Sequence, residues 1–176
     1  MTYRTHLVGG IASLWALTVL PHGTDMLAIS CAAAGFGALL PDLDANASKL
    51  QSVTIEGIQP FVPVGIAIRQ TYTHRGPLHS LAAIGAVTLI GSIPLAIWLG
   101  WQVGVALTLG YASHLMLDMC TRSGLPLFYP NPKTVWLLPK KLRIATGSEW
   151  EHLYTATLGI LSLALLLSRL LLYQWS

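Results

Sequence analysis

The sequence predicts an all-α protein of the membrane: a polytopic helical bundle of about five helices, one domain over residues 1–176, with a Pro-rich loop on the cytoplasmic side. Three observations predict it. Hydrophobic residues make up 53% of the 176 and charged residues only 10%, against about 25% charged in an ordinary soluble domain. The hydrophobic residues fall in long runs broken by Pro and Gly. All but one of the ten Lys and Arg residues collect on one side when those runs are threaded alternately across a bilayer. The chain shows no internal repeat and no basic, aromatic-interleaved surface, so no nucleic-acid partner is expected.

The first apolar run covers residues 6–20 and ends at Pro21-His22-Gly23. It follows Arg4, as a signal peptide would, but no small-x-small cleavage site follows, so it reads as a helix. The second covers 26–40 and stops at Pro41. Both are shorter than the roughly 20 residues of a straight span, which suits a thinned bilayer or a place within the bundle. Residues 42–73 begin polar, with Asp42, Asp44, Asn46 and Lys49, and turn apolar over 58–68, where Pro60 and Pro63 intervene. They predict a loop followed by an interfacial or re-entrant piece. The third helix is expected over 77–99, with Pro77 in its first turn and Pro94 as a kink. A tight turn at 100–102 leads to the fourth helix, 103–119. In 120–148, Pro126, Pro130, Pro132 and Pro139 with Phe128, Tyr129 and Trp136 destroy any helical period. There, 135–138 and 142–145 flank Pro139-Lys140-Lys141 and predict a short hairpin. The fifth helix covers 149–173 and ends in the interfacial aromatics Tyr173 and Trp175. Cys31 and Cys120 form no CxxC pair and read as packing residues.

Alternate threading puts the N-terminus and the loops at 41–77 and 120–150 together. That side receives Arg4, Lys49, Arg69, Arg75, Arg122, Lys133, Lys140, Lys141 and Arg143. Arg169 alone remains, near the far end of the last helix, where it can snorkel. The basic side is therefore expected to be cytoplasmic. If the first two segments did not cross, they would drop out as a pair and leave this result unchanged.

The same threading gathers the chemistry. His114 and Asp118 stand four apart in the fourth helix, so they share a face with Cβ atoms about 5–6 Å apart. At the same level lie His6, Asp42, Asp44, His74, His79, Glu149 and Glu151. An ionisable group in the hydrocarbon costs about 2.5–3.5 kcal/mol on insertion scales, so several are not kept there unpaired. A metal cluster would pair them, with His79 and His114 as neutral ligands and Asp42 or Asp44 and Asp118 as anionic ones. Such a nitrogen and carboxylate set suits zinc, and also manganese or iron, with room for two ions and Asp118 bridging. Each piece has a plainer explanation too. Glu149 and Glu151 could serve the dipole of the last helix. Pro41-Asp42-Leu43-Asp44 could be a turn and cap, His6 an interfacial side chain, and His74 a partner for lipid phosphate beside Arg75.

In order, Thr5-His6, Gly37-Ala-Leu-Leu-Pro-Asp42-Leu-Asp44, His74-Arg75-Gly-Pro-Leu-His79-Ser80, Gly110-x3-His114-x3-Asp118 and Thr146-Gly-Ser-x2-Glu151 resemble the YdjM family of bacterial inner-membrane proteins, described as metal-dependent hydrolases. The resemblance spans nearly the whole chain, and its last motif selects Glu151 over Glu149. A more distant likeness is to the zinc-dependent phospholipase C and P1-type nuclease group. That likeness would give one metal to Asp42, His79, His114 and Asp118 and a second to His6, Asp118 and Glu151. His152 would point about 100° from Glu151 on a helix, so a third metal is not expected.

The resulting expectation is a multi-pass protein of the cell inner (plasma) membrane, with its N-terminus and site on the cytoplasmic side. It would be a metal-dependent hydrolase of a phosphoester or phospholipid-type substrate, a membrane lipid or lipid-linked molecule. The cofactor would be one or two divalent ions, zinc first, held among His6, Asp42, His74, His79, His114, Asp118 and Glu151. Asp44 or Glu151 would act as general base and Arg75 would pair with phosphate. The loop at 120–148 would dock on anionic headgroups or cover the site. The alternative is a non-catalytic membrane protein, either a proton relay or transporter or a closed structural metal site. A relay needs polar residues deep in the helices, and the first, third and fifth helices offer few beyond Ser and Thr.

Overall fold

A computed structural model describes residues 1–15, 23–45, 48–71 and 75–173. Among the described residues the chain is all-helical: α1 (Tyr3–Trp15), α2 (Thr24–Leu39), α3 (Phe61–Thr71), α4 (Leu81–Leu99), α5 (Trp101–Met119) and α6 (Glu149–Tyr173). Isolated bridges but no strands accompany them. The end of the first predicted helix (16–20), Asn46 and Trp175 lie outside the described residues.

The bundle is built around α5. Gly104, Ala106, Gly110 and Ser113 are buried along it. A Cβ on Gly110 would collide with the Ala34 carbonyl, and one on Gly37 with the Leu107 carbonyl. The backbones of α2 and α5 therefore touch. Between apolar helices in lipid, such close approach of small residues supplies the packing that hydrophobic burial supplies in water. Near the far end of the bundle, α1 closes on both through Leu14 and Trp15, which pack with Ala34 and Ala106; Cys31 sits at the edge of that cluster. On the other side of α5, Tyr111, Leu115 and Met119 pack with Ala83 of α4 and Leu125.

The segment predicted as one helix over 77–99 divides. Pro77 lies in a separate 3-10 turn, Pro77–His79. Ser80, in extended backbone, then caps α4, its side chain accepting from Ala83 N at 3.3 Å. A serine there satisfies an orphan amide of the first turn, so the helix begins at Leu81. The Tyr111 hydroxyl donates to Leu78 O at 2.5 Å and pins this turn to α5. Just before Pro94, residues Thr88–Ser92 widen into a π turn. A widened turn relieves the ring clash and missing donor that proline imposes. Ser92 and Thr88 reach the Thr108 hydroxyl of α5 at 2.7 and 3.3 Å. Gly100, at φ 112, allows the reversal between α4 and α5.

Among the described residues, two helices are long and apolar enough to cross a membrane, Leu81–Leu99 and Glu149–Arg169, with Thr24–Leu39 a shorter apolar helix. Both long helices turn bare apolar faces outward: Ile90, Ile97 and Trp98 on α4, Ile160 and Leu163 on α6. The expectation of about five crossing helices is thus met only in part. α5 is as long as α4, but Gln102, His114 and Asp118 dilute it, and α1 has 13 described residues. α3, at 11 residues with only Gly65 buried, is a surface helix below spanning length.

The hairpin expected between 135–138 and 142–145 does not form. Val135 pairs with Leu125, and Ile144 with Thr121. Leu137 N donates to Met119 O and Ile144 N to Cys120 O, each at 3.0 Å. Carbonyls at the end of a helix lack intrahelical partners. The loop supplies them for α5, which draws the two segments onto the exit of α5 and away from each other.

Candidate metal centre

The site is assembled from helix ends. His6 projects from the second turn of α1, Asp42 and Asp44 from the 3-10 turn Pro41–Asp44 after α2, and His79 from the turn before α4. His114 and Asp118 come from the last turns of α5, and Glu151 opens α6. His6, His79 and His114 are fully buried, and Asp118 is 2% exposed.

Among the described residues, two groups could hold a metal ion: His6, His114 and Asp118, and Asp42, His79 and His114, each with donor atoms within 4.8 Å of one another. His6 Nε2 lies 3.3 Å from Asp118 Oδ1, and His114 Nε2 lies 3.9 Å from Asp118 Oδ2. Asp42 Oδ1 is 3.7 Å from His114 Nε2 and 3.8 Å from His79 Nε2. The rings of His6 and His114 stack, centroids 3.6 Å apart and 12° from parallel.

His114 Nδ1 meets the Ala38 carbonyl at 2.7 Å. A carbonyl can only accept, so Nδ1 carries the proton and the Nε2 lone pair faces the carboxylates. This backbone anchor fixes the tautomer that ligation needs. His114 Nε2 and both ring nitrogens of His6 are buried without a hydrogen-bond partner among the described residues; the 3.3 Å approach of His6 to Asp118 lies outside hydrogen-bond geometry. Buried polar atoms are rarely left so. The orphaned nitrogens and the mixed imidazole and carboxylate donors fit a divalent ion of the zinc type.

Asp118 is the most contested group. The Met1 amine approaches its Oδ1 at 2.5 Å and Arg75 Nη2 its Oδ2 at 3.0 Å. Arg75 is tied to several neighbours besides Asp118. Its amide donates to Asp44 Oδ2 at 3.1 Å, and its guanidinium reaches Gly124 O at 3.1 Å and the Ser123 hydroxyl. It sits at φ 64, a left-handed conformation that a non-glycine side chain keeps only where its surroundings dictate it. Asp44 Oδ2 also lies 3.7 Å from His79 Nδ1, behind the imidazole. Burial alone would raise the Asp42 carboxyl. The adjacent His79, with His114 and His6, outweighs it and holds the group down at about 2, so Asp42 is an anion at neutral pH.

Glu151 is close by but not among the converging donors. Its Oε1 accepts from Thr2 N at 2.5 Å and Thr5 Oγ1 at 2.7 Å, and its Oε2 from Gly147 N at 2.6 Å. It clamps α1 to the start of α6. His74 lies outside the described residues. Sequence reasoning did not find the Met1 amine, Thr2 or the Tyr111 hydroxyl. Thr5 stands beside His6 in the sequence, and its spacing gives no sign of its bond to Glu151.

A family model described as YdjM inner membrane protein matches residues 1–175. The chain is 32% identical over 162 residues to YvsG of Bacillus subtilis (strain 168), covering 92% of each. It is 34% identical over 96 residues to the inner membrane protein YdjM of Escherichia coli (strain K12), a match of 52% of this chain and 44% of that one. No solved structure matches, and the distant likeness to phospholipase C and P1-type nucleases is not supported.

Proposed function

The chain belongs to the YdjM family of inner membrane proteins, and from that premise we propose that it is a membrane-embedded, metal-dependent hydrolase of a phosphoester, a phospholipid or lipid-linked phosphate. The observation that carries the reading is His114: its Nε2 is stripped of hydrogen bonds, its tautomer is set by Ala38, and it stands within 3.9 Å of two carboxylates. A metal site explains that arrangement better than a proton relay, which would need further polar groups along the helices.

Five side chains would hold the metal: His6, Asp42, His79, His114 and Asp118. Asp118 presents one oxygen to His6 and the other to His114, so it would offer a donor atom beside each imidazole. His114 offers a single nitrogen and would serve one ion. A divalent ion bound there would lower the pKa of its bound water toward neutrality and would act as a Lewis acid on a phosphoryl oxygen. Asp44 Oδ2, 3.7 Å behind His79 Nδ1, stands where a carboxylate that orients a ligating imidazole would stand, and this positioning role would suit it better than that of general base. Asp42 and Arg75, 22% and 21% exposed, are the parts of the site that face outward. Arg75 would receive the substrate phosphate, and a fork-shaped guanidinium suits that task. The basic loops at this end support a cytoplasmic site in a multi-pass bundle by the positive-inside rule.

Elemental analysis of the detergent-purified chain is expected to find one or two equivalents of zinc, manganese or iron, lost in His114→Ala and Asp118→Ala while helix content stays. Phospholipid and lipid-phosphate substrates should then be hydrolysed by the parent chain and spared after chelation. Folded protein that takes up no metal would overturn the centre. Metal without hydrolysis of any such lipid would reduce it to a structural site.

A further inference from the structure

Away from the metal centre, the loop after α5 and the first turns of α6 enclose a cavity of about 510 Å³. The loop lines it with Arg122, Lys141 and Arg143, and α6 with Trp150, Leu153 and Tyr154; no carboxylate is among its lining residues. Arg143 is fixed in place, its guanidinium 4.2 Å over the Trp136 ring and its Nε donating to Leu138 O at 3.1 Å. Trp150 and Leu153 are 74% and 58% exposed. Ile160, seven residues and two turns beyond Leu153, continues their face down the apolar helix at 69% exposed.

We propose that this cavity is a binding site for an anionic phospholipid, its phosphate held by Arg122, Lys141 and Arg143 and its acyl chains lying along the Trp150–Leu153–Ile160 face of α6. Charge complementarity and continuity with that apolar face name the occupant. A free phosphate would match the cations but leave the aromatic and aliphatic wall without a purpose. Three cations at a membrane surface each attract anionic lipid, and the volume suits a headgroup. The site shares no residue with the metal centre, so it neither needs nor supports hydrolysis. A lipid here would brace the loop whose backbone closes the end of α5.

The test uses the full chain in neutral detergent, titrated with micelles carrying phosphatidylglycerol or phosphatidylcholine, with retained lipid counted by native mass spectrometry. Phosphatidylglycerol should be retained at lower concentration than phosphatidylcholine. The triple variant Arg122→Gln, Lys141→Gln, Arg143→Gln should weaken that retention roughly tenfold or more. The double variant Lys49→Gln, Arg69→Gln, which removes two cations that do not line the cavity, should leave it intact. If the triple variant does not fold, Lys141→Gln alone, on an exposed turn, should still weaken retention severalfold. Equal retention of the two lipids, or undiminished phosphatidylglycerol on the variants, overturns the site. Displacement of the lipid by millimolar inorganic phosphate would assign the cavity to free phosphate instead.

Discussion

At the scale of single residues, the site separates two kinds of carboxylate that look alike in the sequence. Asp118 stands beside His6 and His114, whose nitrogens are unsatisfied among the described residues, whereas Glu151 accepts three hydrogen bonds, two from Thr2 and Thr5 that join the N-terminal residues to α6 and one from Gly147 just before that helix. Glu151→Gln would turn an amide NH2 toward existing donors. It should cost about 1–3 kcal/mol, read as a lower thermal midpoint in detergent, with metal content unchanged. Metal lost without loss of stability would instead return Glu151 to the ligand set. His114 and Asp118 were legible because helical spacing alone puts them on one face. The Met1 contact with Asp118 bridges 117 positions, and no local pattern encodes it. Arg75 was legible as a cation beside the site, but not its bond to Asp118, which depends on the left-handed turn at that residue.

At the scale of elements, the candidate metal centre depends on how closely α2 and α5 approach, because α2 and the turn after it deliver the Ala38 carbonyl and Asp42 while α5 delivers His114. Gly110 is where they meet. Gly110→Leu would drive a side chain into the Ala34 backbone. It should destabilise the chain by about 1–3 kcal/mol or more and lower metal content, since Asp42 and His114 would part. Gly85→Ala on α4 is the contrast: a Cβ there meets nothing within 4 Å, so the better helix former should leave metal content alone and raise stability by up to about 1 kcal/mol. A metal-replete Gly110→Leu protein would show that the approach of the two helices does not position the site. The helices were readable from apolar runs and breakers, but the start of α4 was not. Pro77 is a strong helix opener in isolation, and only Ser80's extended backbone and cap show that the turn comes first. The loop was misjudged for a similar reason: its amides answer carbonyls at the end of α5, a partner that reading 135–145 by itself does not reveal.

At the scale of the whole molecule, the chemistry lies at one end of the bundle, and the far turn at Gly100 lies at the other. α4 and α5 are each 19 residues long, or about 28 Å at 1.5 Å per residue, close to the roughly 30 Å of a bilayer's hydrocarbon. If the bundle is multi-pass with its basic end inside, the two ends face different compartments. This can be read with single cysteines after Cys31 and Cys120 are replaced by Ala. Lys133→Cys, in the loop beside the site, should react with an impermeant maleimide only in inverted vesicles. Trp101→Cys, at the 49%-exposed start of α5, should react in intact spheroplasts. The reverse pattern would put the metal centre outside the cell, where its substrate would have to be an outer-leaflet or extracellular phosphoester. Reaction of both positions from one side would sink the multi-pass arrangement, and α4 with α5 would then be a hairpin lying on a single membrane face. The expected pattern would let the proposed phosphate substrate approach from the cytoplasmic headgroup layer, where Asp42 and Arg75 face outward and where the proposed lipid site in the 120–148 loop would draw anionic lipid.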